Sequence, residues 1–295
     1  MMLRITEGST RQSSLVGLQS ASSRLASLQD KMSSGRQITK PSDDPEGTVR
    51  ALQLRSSLAR LDQYKANSTY ATGWLSAADT AYSGAVSLVQ KARTVVVEGM
   101  NSGAVSAQAQ NVLADQIDSL RSTLITTANS SFNGRPIFGG TTTGPLAYDS
   151  SGSYIGNSGS VSRTVADGTT LQINKSGPDV FGTPGSDVFT LLSNVSAALR
   201  SGDTGALSTQ LTGIDSALSG ISSAQAAQGA AYDHIDDIQT AQTATATSLK
   251  TQLSDIQDID LADMAVQVTT ANTTYQAALQ TTAAIRQLSL LDFLR

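Results

Sequence analysis

Two stretches of the chain hold side chains that could do chemistry. In "SGRQITKPSDDPEG", residues 34–47, Asp43 and Asp44 stand side by side in a proline-flanked loop. Adjacent carboxylates are the raw material of general acid–base catalysis or of a calcium site. In "YDHIDD", residues 232–237, the chain's only histidine, His234, lies among Asp233, Asp236 and Asp237. On a helix Asp233 and Asp237 share one face at i, i+4, an arrangement from which a His–carboxylate metal site could be built.

Neither stretch goes further than that. A calcium loop needs more oxygen ligands at fixed intervals, and none follow Asp44. A zinc-binding helix uses two histidines at i, i+4 where this chain has one. Asp44 directly before Pro45, with Glu46 next, is instead the pattern of an N-cap, a proline at the first helical position and an acid in the first turn. Residues 232–237 read as a solvated acidic face. No nucleophile elbow, phosphate-binding loop or dinucleotide fingerprint occurs. Trp74 and the tyrosines lie along apolar seams, where packing accounts for them. The expectation is therefore no catalytic residue, no cofactor and no metal.

Composition narrows the partners. Of 295 residues only 15% are charged and 4% aromatic, with a net charge of -4. Without a Lys/Arg cluster there is no electrostatic footprint for nucleic acid or an anionic membrane. No window reaches the roughly 18 apolar residues of a membrane span, so no membrane insertion is expected. With no cysteine, disulfides and thiolate metal sites drop out. The opening "MMLRITEGSTRQSSL" lacks the apolar run and small-residue site of a cleaved secretory signal.

The elements around these stretches are helical. Leu18, Ala21, Leu25, Leu28 and Met32 follow heptad spacing, ended by a glycine at residue 35, where the left-handed conformation is common past a helix C-terminus. A second helix starts near residue 47 with a break expected near Gly73; its inward stripe is Leu75, Ala78, Tyr82, Ala85, Val89, Ala92 and Val96. A third runs to about residue 132, with Leu113, Ile117, Leu120 and Leu124 inward. Between 141 and 186 the helical period is lost, and Asp167-Gly168 signals a hairpin. Residues 207–256 carry an unbroken 4-3 seam about 75 Å long at 1.5 Å per residue, interrupted by Gln225, Gln228, Gln239 and Gln242. A new seam begins at Leu261, Met264, Val268, Ala271 and Tyr275. The last eight residues include Leu288, Leu290, Leu291, Phe293 and Leu294, an apolar end that calls for a partner surface, since free termini are normally polar and frayed.

The fold class expected is mainly α: an elongated helical bundle or coiled coil formed by both chain ends, with a small β insertion in the middle. Residues 1–44 and 257–295 would make a terminal coiled-coil domain, 45–140 and 187–256 a helical rod, and 141–186 a β-rich outer insertion. From the residues alone, a self-assembling filament subunit or adaptor, a secreted coiled-coil effector or translocator, and an enzyme on a helical bundle are the readings in play. The first is favoured by the heptads at both ends.

"LQDKMSSGRQITKPSDDPEG", "ALQLRSSLARLDQYKANSTYATGWL", "ANSSFNGRPIFGGT" and "ANTTYQAALQTTAAIRQLSLLDFLR" together resemble the flagellin family over residues 5–140 and about 187–295. The resemblance implies a structural, non-enzymatic subunit of the extracellular bacterial flagellum, placed between hook and filament and exported by the flagellar type III apparatus without a cleaved signal. A flagellin-like filament subunit is the alternative within the family. It implies as partners the first hook-associated protein, flagellin, further copies of itself in a ring, and an export chaperone on the C-terminal segment. It assigns assembly to Leu18, Leu25, Leu28, Met32, Leu261, Met264, Val268, Tyr275, Ile285, Leu288, Leu290, Leu291, Phe293 and Leu294. The domain-joining loop and helix cap fall on Gly35, Pro41, Asp43, Asp44 and Pro45.

Overall fold

The protein is described by a computed structural model over residues 7–101 and 106–293, with the side chains of 7–8, 10–11 and 285–293 outside the description. Seven helices and two hairpins follow in the order α1 (Glu7–Ser34), α2 (Pro45–Asn101), α3 (Ala107–Ala128), β1 (Ser131–Phe132), β2 (Arg135–Pro136), β3 (Ser162–Ala166), β4 (Thr169–Gln172), α4 (Gly177–Phe181), α5 (Val188–Ser201), α6 (Thr204–Gln257) and α7 (Leu261–Phe293) among the described residues. The class is mainly α with a small β insertion. The chain divides into a terminal unit, Met1–Arg60 with Thr245–Arg295, and a central unit, Leu61–Ala244.

The central unit has the core. The expected stripe on α2 is buried at every position from Leu75 to Val96, facing Ile117 and Leu124 of α3, Leu192 and Val195 of α5 and Ile214 and Ile221 of α6 in one cluster. The stretch between β2 and α5 has no separate core: Tyr148, Val161, Ile173 and Phe181 join the same cluster. Its aromatic rings meet edge to face, Phe138 on Phe181 at 5.1 Å and Tyr82 on Phe138 at 5.4 Å, the geometry favoured by the ring quadrupole.

Two local expectations are corrected. Helix α2 does not break at Gly73. A Cβ there would stand 2.8 Å from the Phe132 ring, so the glycine makes room for Phe132 against Tyr70 and Trp74 and leaves the helix intact. Helix α3 stops at Ala128, four residues early, because the chain turns into a hairpin at once. Asn133 (φ +50°) and Gly134 (φ +76°) supply the two positive angles that the tight turn between β1 and β2 requires. The Asp167-Gly168 hairpin forms as expected, with a bulge at Val165 between β3 and β4.

The glutamines of the α6 seam face inward, and their amide nitrogens donate across it. Gln228 donates to the Leu75 carbonyl (2.9 Å), Gln239 to the Thr72 hydroxyl (3.0 Å), and Gln242 to both the Ser68 hydroxyl and the carbonyl of the bulged Val165 (2.6 Å). A bulge leaves a carbonyl outside the strand ladder, and Gln242 supplies its missing donor. Tyr232 departs from the seam and is exposed, its place taken by the half-buried Ala231.

Candidate assembly site

The candidate site is the terminal unit, and its centre is the joint between two helix ends. Helix α1 ends at Ser34, and Gly35 takes the left-handed conformation (φ +67°) that ends helices at low cost. Residues beyond it pair with the α6–α7 junction: Arg36 bridges Asp258 antiparallel, Gln37 N–H donates to the Gln257 carbonyl (2.7 Å), and Ile259 N–H to the Gly35 carbonyl (3.2 Å). The Arg55 guanidinium of α2 donates to the buried Gln257 side chain (2.9 Å). The loop after α1 is thus stitched by backbone bonds to the loop before α7, and α1 packs on α7.

The two acids divide their work. Asp44 caps α2, accepting from Gly47 N–H at 2.9 Å, with Pro45 as the first helical residue. Asp43 turns the other way and accepts from the Thr39 N–H, the Thr39 hydroxyl (2.8 Å) and the Lys40 N–H. These bonds, the Thr39 hydroxyl foremost, hold its carboxyl below the usual carboxylate range. Gly47 closes the arrangement, because a Cβ there would stand 2.2 Å from the Asp44 carboxylate and 2.8 Å from Ile38. Pro41 is exposed at the tip of this loop.

Of the expected assembly residues, Leu18, Leu25 and Leu28 on α1 and Val268 and Tyr275 on α7 are half-buried, and Met264 is buried. Met32 and Leu261 fall off the seam, 42% and 63% exposed. The stripe on α1 steps from Leu28 to Lys31, three residues on, which turns Met32 outward. Leu261 opens α7 one turn before the seam starts at Met264. The side chains of Ile285, Leu288, Leu290, Leu291 and Phe293, and all of Leu294, lie outside the described residues.

Sequence reasoning missed Arg55, Gln257, Asp258 and Asp260. Asp260 caps α7 through the Ala262 and Asp263 N–H groups, and an aspartate directly before Leu261 was a readable cap signal. The Arg55–Gln257 bond joins positions 202 apart, so no local pattern announces it.

The terminal unit is poor in burial for its apolar content. Among the described residues only Ala51, Met264 and Ala271 are fully buried apolar side chains there, while Leu15, Val16, Met32, Val49, Leu52, Leu261, Val266 and Leu279 are exposed. His234, Asp233, Asp236 and Asp237 of the central unit are all exposed. Among the described residues no group of three His, Cys, Asp or Glu could hold a metal ion, and no helix is long and apolar enough to cross a membrane.

Helices from both chain ends that pack on each other, with the loops that join them bonded together, define a class: helical proteins whose two termini form one unit. The chain belongs to the flagellin family. The model of the bacterial flagellin N-terminal helical region matches residues 9–143 and that of the C-terminal helical region matches 211–294, together well over half of the chain. It is similar to flagellar hook-associated protein 3 of Salmonella typhimurium, 29% identical over 67% of each chain. To the protein of that name from Escherichia coli it is 30% identical over 58% of this chain and 54% of the other. In fold it is similar to a flagellar hook-associated protein from Vibrio parahaemolyticus, with TM-score 0.67 and 22% identity over 73% of this chain and 100% of that one.

Proposed function

We propose that this protein is a structural subunit of the bacterial flagellum at the junction between hook and filament, and that it works by assembly and not by catalysis. The observation that carries this reading is the imbalance in the terminal unit, three buried apolar side chains against eight large exposed ones among the described residues. Large exposed apolar patches mark interaction sites, and two of the relatives bear the name flagellar hook-associated protein 3. The coiled-coil part (1–44, 257–295), the helical part (45–140, 187–256) and the β-rich insertion (141–186) belong to the same reading. So do its partners: the first hook-associated protein, flagellin, further copies of the chain, and an export chaperone on the C-terminal segment. Export in this reading proceeds through the flagellar type III apparatus.

Co-assembly tests it. Purified protein is added to hooks bearing the cognate first hook-associated protein, followed by flagellin, and growth is scored by electron microscopy. Filaments are expected only when this protein is added before flagellin. Long filaments of this protein alone would make it a filament subunit instead. Filaments of equal number without it would remove it from the junction.

A further inference from the structure

Beside the stitched joint the terminal unit contains a pocket of about 140 Å³. Arg36, Lys40 and Arg55 line it, with Leu52 at its wall and Thr48 and Gln257 beside them. None of the three cations has an ion pair among the described residues. Asp43 is committed to the Thr39–Lys40 backbone and Asp44 to Gly47, while the Asp258 carboxylate accepts from Ser254. The pocket is therefore a cationic recess on a chain whose net charge is -4, with one exposed leucine in it.

The complementary surface is the feature the sequence singled out and the fold leaves idle. Asp233, Asp236 and Asp237 lie on exposed turns of α6 with no ion pair among the described residues, next to Tyr232, whose ring is 42% exposed. At i, i+3 and i+4 the three carboxylates form one face. Three cations with an exposed leucine match three carboxylates with an exposed tyrosine in sign, number and apolar content, none of the six having an ion pair among the described residues.

We infer that the Arg36–Lys40–Arg55 pocket of one copy receives the Tyr232–Asp237 face of a second copy. The inference rests on the assembly reading above and names a contact within it. A pocket and a face at different places on the chain make a heterologous contact, the kind that closes into a ring when the rotation between copies allows it. Opposite charges would set orientation and speed encounter more than they would add affinity.

The absence of cysteine makes the test clean. Lys40→Cys and Asp236→Cys are purified as separate full-length chains, mixed, added to hooks bearing the first hook-associated protein, and oxidised. A disulfide-linked dimer is expected in the hook-bound fraction, absent when Ser150→Cys replaces Asp236→Cys. In a second arm, Arg36→Glu with Lys40→Glu is expected to lower hook-bound protein at least tenfold with helical content unchanged, and Asp233→Lys with Asp236→Lys in the partner chain to restore it. Decorated hooks without the cross-link, or indifference to the charge reversal, would overturn this contact and leave the assembly reading standing. Undecorated hooks with the unaltered protein would overturn both.

Discussion

At the level of single residues, the loop before α2 shows how little of a carboxylate's role is visible from its type. Asp43 and Asp44 are identical neighbours with opposite duties. Asp44→Ala is expected to lower the stability of the terminal unit by about 1 kcal/mol, the usual cost of losing an N-cap, read from thermal melts of the assembled protein. Gly47→Ala provides a sharper check. Alanine in a helix is ordinarily better than glycine by about 1 kcal/mol, and at Gly220, where an added Cβ meets nothing within 4 Å, that gain should appear. At Gly47 the Cβ would displace the capping carboxylate, so the same change should destabilise; a gain at both positions would discard the close-packed loop. Asp43 should titrate below its ordinary value of 3.8. Because its folded-state pKa is depressed, the loop's bonds persist above the unfolded carboxylate range and are lost as pH falls through the folded value. The Thr39 amide resonance should move with that lowered midpoint and stop responding in Asp43→Asn.

Elements are specified by a mixture of apolar period and directional bonds. The heptads made the helical fold and its interrupting β segment legible, and the Asp-Gly pair did the same for the β3–β4 turn. Gly73 was misread because a glycine in a helical run signals a break unless its long-range neighbour, Phe132, is known. Met32 and Leu261 were placed on the seams by continuing a pattern past the end where each helix holds it. The glutamines on α6 were readable as seam positions, while their partners on α2 and the bulged hairpin were not. Gln242 is the one that ties three elements together, since α6, Ser68 of α2 and the Val165 carbonyl meet at its amide. Leaving that buried carbonyl without a donor costs about 1–3 kcal/mol, so Gln242→Ala should lower the main denaturation midpoint of the central unit by that amount. Exchange of the β3–β4 amides should quicken; unchanged exchange would mean the hairpin holds without Gln242.

For the whole molecule, the two units differ in how much of their packing they hold by themselves. In dilute, unassembled protein, limited proteolysis should remove the chain ends first and leave a resistant fragment near 61–244; equal protection of both units would contradict the underpacking of the terminal one. High pH acts on two buried tyrosines of the central unit. Burial pushes the Tyr82 and Tyr148 hydroxyls well above the ordinary tyrosine value of 10.0. Since both keep their protons in the folded state, their contribution is complete below about pH 10 and declines as pH rises beyond it. Ultraviolet titration should show these two hydroxyls ionising only as the core opens.

The single tryptophan of the chain, Trp74, is completely buried, in the central unit between Tyr70 and Phe132. Its emission is consequently a built-in optical gauge of one unit only. Blue-shifted fluorescence should stay constant while the paired ends of the chain order themselves on neighbours, and it should shift to the red only when the central core melts. Because far-ultraviolet dichroism senses helices throughout the chain, the gap between the two signals during assembly measures the ordering of α1 and α7 without any label.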